Sequence, residues 1–245
     1  MPTLQPEHRL IPYECGELPE GPWLVLAPHA DDETFGLGGS LLLAAARGIQ
    51  AHVLVLTDGA EGGDGSTDRD TLVATRHDEV RRATQQLGVE SLSLWNEPDG
   101  ALDCSAELIQ RVSRMIQASA AQTVFFPAPL ELHPDHRMTA RIAWHALQRL
   151  SHPPRPCAYE ISVQSPVNRL IDVSEVYVAK REAMAVYNSQ NRLNAYPKLV
   201  EALNRARTYT LPEAVTHAEG LYLYDTEKLS GSLREATEER LSRYW

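Results

Sequence analysis

The chain is short of cysteine, of basic charge and of long apolar runs. Three cysteines, Cys15, Cys104 and Cys157, are scattered through 245 residues. Their odd number and wide spacing argue against a disulfide framework and against a sulfur-ligated metal, so they read as reduced thiols of a cytoplasmic protein. Lysine and arginine total 23 against 33 aspartates and glutamates, a formal net charge of −10. That balance argues against a nucleic-acid partner or an anionic membrane surface. No apolar run reaches the roughly 18 residues of a membrane span. Residues 1–20 hold several prolines and no apolar core, so they read as a polar N-terminal arm, an edge strand or a loose lead-in, and not as a signal peptide. What remains is an ordinary soluble composition, 43% apolar and 23% charged, long enough to bury a sizeable core.

The most informative stretch is Trp23 to Gly39. Leu24 to Ala27 is an apolar run with the look of a fully buried strand. It empties into a turn carrying His29, Asp31, Asp32 and Glu33, followed by Gly36, Gly38, Gly39 and a second apolar run. Acidic residues so dense beside a buried strand are costly unless their charge is compensated, and a bound cation is the simplest compensation. The glycine spacing fits neither G-x-G-x-x-G nor a Walker A loop, and the preceding carboxylates would repel a pyrophosphate. These glycines are expected to let the first helix pack closely on the sheet.

Further along, apolar and β-branched runs alternate with helical patterns. Strands are expected at 23–27, 52–57, 91–95 and 123–127, with helices at about 38–47, 72–87 and 105–118 and another that follows the segment 129–136 and runs to about 150. Gly48 and Gly88 close two of those helices as C-terminal caps. This rhythm predicts an α/β fold, a three-layer Rossmann-like architecture with a doubly wound, mostly parallel sheet. Residues 151–245 are less regular. Strands are expected near 159–163, 169–173 and 220–224, and helices at 175–187, 198–207 and 226–244. Without a clear linker or repeat, residues 1–245 read as one domain with a C-terminal extension.

In a doubly wound sheet, sites lie at the carboxyl ends of strands where the strand order reverses. The first and fourth strands normally flank that point. The His29 turn follows the first, and His133-Pro-Asp-His136 follows the fourth. His29 and Asp32, three apart, face the same way in a tight helical turn, and His136 can add a third ligand. Two histidines and a carboxylate with room for water have the form of a catalytic zinc site. Asp31 is then free to act as general base. His133, with Asp135 nearby to hold its tautomer, can stabilise an oxyanion or protonate a leaving group. Taken singly, each feature has a plainer reading: carboxylates favoured by a helix dipole, or a proline starting a helix. Their convergence at two matching strand ends favours the site.

Pro28-His-Ala-Asp-Asp-Glu33 and His133-Pro-Asp-His136 together resemble the two metal motifs of the PIG-L (LmbE-like) zinc-dependent N-deacetylase family. Ala30 stands where that family commonly has proline. Thr57-Asp-Gly59, Arg76-His-Asp-Glu79, Lys180, Tyr187-Asn-Ser-Gln190, Arg207 and Ala218-Glu219 resemble weaker family segments, so the likeness spans roughly residues 22–220. The resemblance implies zinc on His29, Asp32 and His136, one metal per chain. It implies Asp31 as base, His133 as the electrostatic or acid group and Asp135 as its support. The implied reaction is hydrolysis of an N-acetyl group, typically from glucosamine in a small molecule or glycoconjugate; another N-acyl substrate, or a metal-stabilised binding protein without turnover, stays open. Arg76 is a candidate for substrate contact, or else a surface ion pair with Glu79. Glu33 reads as support for the turn. Tyr187, Asn188 and Gln190 either line the pocket or cap a helix. A homo-oligomer would be unremarkable.

Overall fold

The computed structural model describes residues 4–245, so Met1 to Thr3 of the N-terminal arm lie outside the described residues. The elements run β1 (Trp23–Ala27), α1 (Asp32–Ala46), β2 (Ala51–Thr57), α2 (Arg69–Gln86), β3 (Ser91–Glu97), α3 (Ala106–Ala118), β4 (Thr123–Pro127) and α4 (Pro134–Gln148). After them come β5 (Arg155–Tyr159), β6 (Arg169–Asp172), α5 (Tyr177–Met184), α6 (Asn188–Asn191), α7 (Tyr196–Ala206), β7 (Ala218–Leu223) and α8 (Leu233–Ser242).

Seven strands form one sheet in the order β3-β2-β1-β4-β5-β7-β6. The first five are parallel; β7 runs antiparallel to both β5 and β6. Strand β1 explains the layering. Every one of its side chains is buried. Trp23, Val25 and Ala27 join a core with Leu37 of α1, Val80 of α2, Met184 of α5 and Val200 of α7. Leu24 and Leu26 join the opposite core with Val112 of α3, Trp144 of α4 and Leu233 of α8. A strand apolar on both faces must be covered on both, which is why the parallel strands read as continuous hydrophobic runs.

Four of the expected strands and their helices stand within a few residues of where the pattern put them. One difference concerns the site directly. Helix α1 begins at Asp32 and not near residue 38, because carboxylates in a first turn are stabilised by the helix dipole. The glycines therefore lie inside the helix. A Cβ on Gly36 would sit 2.7 Å from the Glu160 carbonyl oxygen, and one on Gly39 would sit 2.5 Å from Val173 Cγ1. They permit close packing, as the sequence suggested. Gly48 and Gly88 take positive φ, 71° and 72°, at the ends of α1 and α2.

The C-terminal half departs further. Strand β5 lies at 155–159 rather than 159–163. The segment expected as one helix over 226–244 divides into a 3-10 turn, Thr226–Ser230, and α8, whose start is fixed by a capping box of Ser232 and Glu235. The described part of the N-terminal arm forms no strand; its Gly16 N–H donates to the Leu170 carbonyl at 2.9 Å, along β6. Among the described residues, no helix is long and apolar enough to cross a membrane.

Candidate active site

The strand order reverses between β1 and β4, and their carboxyl ends carry the two polar clusters. Thr57 at the end of β2 pins the turn after β1, its N–H and hydroxyl both donating to the Pro28 carbonyl, at 3.0 and 2.9 Å. His29 follows. Its backbone N–H donates to Asp32 Oδ2 at 2.9 Å, which folds the first residue of α1 back over the histidine.

Asp32 then lies between two imidazoles. Its Oδ2 is 3.2 Å from His29 Nδ1, and its Oδ1 is 3.3 Å from His136 Nε2. Burial opposes ionisation of Asp32, but the charge and hydrogen bonds of His136 and His29 outweigh it and hold the carboxyl well below the usual range. Conversely, His136 is lifted to about 9: burial works against its charge, and Asp32 more than reverses the effect.

Asp31 faces elsewhere. Its backbone, at φ 157° and ψ −27°, turns its carboxylate toward Arg76, whose Nη2 is 3.5 Å from Oδ2. Burial pushes the Asp31 carboxyl up to about 7, with Arg76 acting against the rise. Arg76 reaches the site from α2, donating also to the Gly59 carbonyl at 3.1 Å and the Ala30 carbonyl at 3.3 Å. Gly59, at φ 68°, leaves the room: a Cβ there would be 2.9 Å from Arg76 Nε. The surface ion pair of Arg76 with Glu79 does not occur. Arg76 is buried, and Glu79 instead accepts the Ser189 N–H and hydroxyl at 2.8 and 2.6 Å.

Asp135 corrects one expectation. Its carboxylate does not hold His133. Oδ2 lies 3.2 Å from His29 Nε2 and accepts the Gly100 N–H at 2.8 Å, while Oδ1 accepts the Leu102 N–H at 3.2 Å. The reason is position: Asp135 is in the first turn of α4, aimed across the β1/β4 gap. What orients His133 is the backbone. As the N-cap of α4, His133 accepts the Asp135 N–H on Nδ1 at 3.2 Å, so the neutral ring carries its proton on Nε2. His133 is exposed at the mouth, with its ring 4.6 Å from that of His29 and 5.2 Å from that of His136. Burial, then the charges of His29 and His136, push its pKa down.

Two residues in the site were not singled out from the sequence. Asp99, on the loop after β3, places Oδ1 3.1 Å from His29 Nε2. Glu131, in the Pro129-to-Leu132 run, is 1% exposed and sets Oε2 3.6 Å from His136 Nδ1. A charged residue interrupting an apolar run was the available signal for Glu131; Asp99 had none beyond its loop. Glu33 supports the turn as expected, accepting the Asp31 N–H at 3.2 Å and the hydroxyls of Thr34 and Tyr187. Tyr187 is therefore behind the turn. Gln190 binds the Gly62 carbonyl at 3.1 Å, and Asn188 opens the short α6.

Residues 24–147, about half of the chain, match the family described as PIG-L, GlcNAc-PI de-N-acetylase. The chain belongs to this family. Among PIG-L relatives, it is 28% identical over 182 residues to a probable N-acetyl-alpha-D-glucosaminyl L-malate deacetylase 2 of Bacillus anthracis, covering 68% of this chain and 80% of that one. It is also 28% identical over 184 residues to diacetylchitobiose deacetylase of Thermococcus kodakarensis, covering 68% and 69%. The fold matches the structure of N,N'-diacetylchitobiose deacetylase from Pyrococcus horikoshii with a TM-score of 0.76, 22% identity and 84% of each chain covered. The PIG-L chain is thus a hydrolytic deacetylase by family, with its polar clusters converging as its motifs implied.

Proposed function

We propose that the chain is a zinc-dependent hydrolase removing the N-acetyl group from an N-acetylglucosamine-containing small molecule or glycoconjugate. His29, Asp32 and His136 are assigned as ligands. Two imidazoles and a carboxylate are a donor set that hydrolytic zinc sites use. Each imidazole meets Asp32 through its own carboxylate oxygen, His29 Nδ1 at Oδ2 at 3.2 Å and His136 Nε2 at Oδ1 at 3.3 Å, and nitrogens of His29, His133 and His136 lie within 4.8 Å of one another. Charge balance agrees, since Asp31, Asp32, Glu131 and Asp135 are all buried and, among the described residues, Arg76 is the one arginine or lysine that meets any of their carboxylates.

The observation that carries the reading is the division between consecutive aspartates. Asp32 is engaged by both histidines, while Asp31 keeps a carboxylate aside, next to a cation. A bound zinc would polarise the amide carbonyl and make its water acidic, with a pKa of about 7. Asp31 takes the proton of the attacking water on its carboxylate. His133 presents Nε2–H from the mouth, where it donates to the carbonyl oxygen as charge develops there. The C–N bond then breaks as the proton that Asp31 took from the water is passed to the departing nitrogen, giving acetate and a free amine. Arg76 favours the ionised form of Asp31 and is assigned to border the substrate on that side.

The two relatives are named as a probable N-acetyl-alpha-D-glucosaminyl L-malate deacetylase and a diacetylchitobiose deacetylase, which supports an amino sugar as substrate here. One sheet runs through both halves of the chain, which supports reading 1–245 as one domain. The test is acetate release across a panel of N-acetylated sugars, with and without chelator. Release that zinc restores after chelation is expected. Metal-independent release, or none from any N-acetylated sugar by the zinc-loaded protein, would contradict the proposal.

A further inference from the structure

We propose that Glu131 is a positioning residue: it fixes the ring of His136 so that Nε2, and not Nδ1, is presented to the metal, and it ties that ligand to the loop after β5. This rests on the metal reading above. It goes beyond it in assigning a residue that neither motif contains.

The two histidines of the set are held in corresponding ways. On His29, Nδ1 faces Asp32, and the far nitrogen, Nε2, faces Asp135 and Asp99 at 3.2 and 3.1 Å. On His136 the ring is used in the other sense. Nε2 faces Asp32 at 3.3 Å, and the far nitrogen, Nδ1, faces Glu131 at 3.6 Å. Nδ1 is buried and has no hydrogen-bond partner among the described residues, and the Glu131 carboxylate is the group it faces. A ligating imidazole gains basicity and a fixed tautomer when its other nitrogen donates to a carboxylate. Glu131 is the carboxylate in that place.

Glu131 is itself anchored. Its Oε1 accepts the N–H groups of Ile161 and Ser162 at 2.8 and 3.1 Å. Its Oε2 accepts the Ser162 N–H at 3.2 Å and the Ser162 hydroxyl. Both carboxylate oxygens are thus held as acceptors, so the group facing Nδ1 is an acceptor and the ring proton belongs on Nδ1. That leaves the Nε2 lone pair free toward Asp32 and the metal position.

Glu131→Gln tests this. The amide oxygen can keep the Ile161 and Ser162 bonds, while its NH2 brings a donor toward Nδ1 and favours the opposite tautomer. Zinc affinity, measured by competition with a chelating dye, is expected to fall about 10–100-fold. The melting temperature and circular dichroism of the metal-free protein should stay close to wild type. A purely structural Glu131 gives the reverse, a lower metal-free melting temperature with affinity unchanged in the folded fraction. Should Glu131→Gln not fold, Ser162→Ala removes only the hydroxyl that seats Oε2, and a several-fold loss of zinc affinity is expected. A folded Glu131→Gln or Ser162→Ala protein that binds zinc as tightly as wild type would overturn the role of Glu131 alone. Wild-type protein that binds no zinc would overturn the metal reading, and this role with it.

Discussion

The Asp135 carboxylate lies 3.2 Å from Nε2 of His29, a residue 106 positions earlier in the chain. The contact crosses the point where the sheet reverses, joining the first turn of α4 to the turn after β1. It makes Asp135 a support for His29, the histidine proposed as the first ligand. Asp135→Asn should therefore weaken zinc binding by about 10–100-fold, read by chelator competition, while His133, which is oriented by the backbone, keeps its tautomer. Unchanged zinc affinity in that variant would return Asp135 to the role the sequence suggested.

Arg76 acts on Asp31 by charge. Burial raises the Asp31 pKa and Arg76 lowers it. Removing the guanidinium must raise it further, so the ionised base is lost at a higher pH as pH falls. Arg76→Met is expected to move the acidic limb of the kcat/KM profile upward by about 1 unit or more, the range for loss of an adjacent opposite charge. The alkaline limb should stay in place. An unmoved acidic limb would separate Arg76 from Asp31.

The parallel half of the fold was legible because its strands are buried on both faces, and apolar runs such as Leu24 to Ala27 announce that directly. The start of α1 was not. Its first turn is acidic, and acidic residues suit a loop and a helix N-terminus equally well. Strand β5 was placed late because Pro154 and Pro156 obscure it. Proline lacks a ladder donor, and here Pro156 contributes its carbonyl to Tyr224 N–H at 3.0 Å instead. In the site, His29, Asp31, Asp32, His133 and His136 were readable from type and spacing. Asp99 and Glu131 were not, since their roles depend on which far nitrogen of which histidine they meet, and spacing carries no such information.

Lys180 and Glu219, both fully buried, form an ion pair of 2.7 Å behind α1. Glu219 also accepts the backbone N–H groups of Gly39 and Ser40 at 2.7 and 2.8 Å, and Lys180 donates to Asn204 at 2.9 Å. The pair therefore clamps α5 and β7 onto the helix that begins with Asp32. Lys180→Met leaves Glu219 buried without its cation. A loss of about 3–5 kcal/mol in unfolding free energy is expected by denaturant titration, whereas a loss below about 1 kcal/mol would show that the backbone donors alone suffice.

The division of labour between Asp31 and Asp32 is tested most directly by Asp31→Asn, measuring zinc content and acetate release on the same preparation. The account predicts a zinc-loaded, folded protein whose turnover falls by about 100-fold to 10,000-fold, the contribution of a positioned general base. Full turnover in that variant, or loss of its zinc, would contradict the assignment of Asp31 as the base beside a His29–Asp32–His136 metal site.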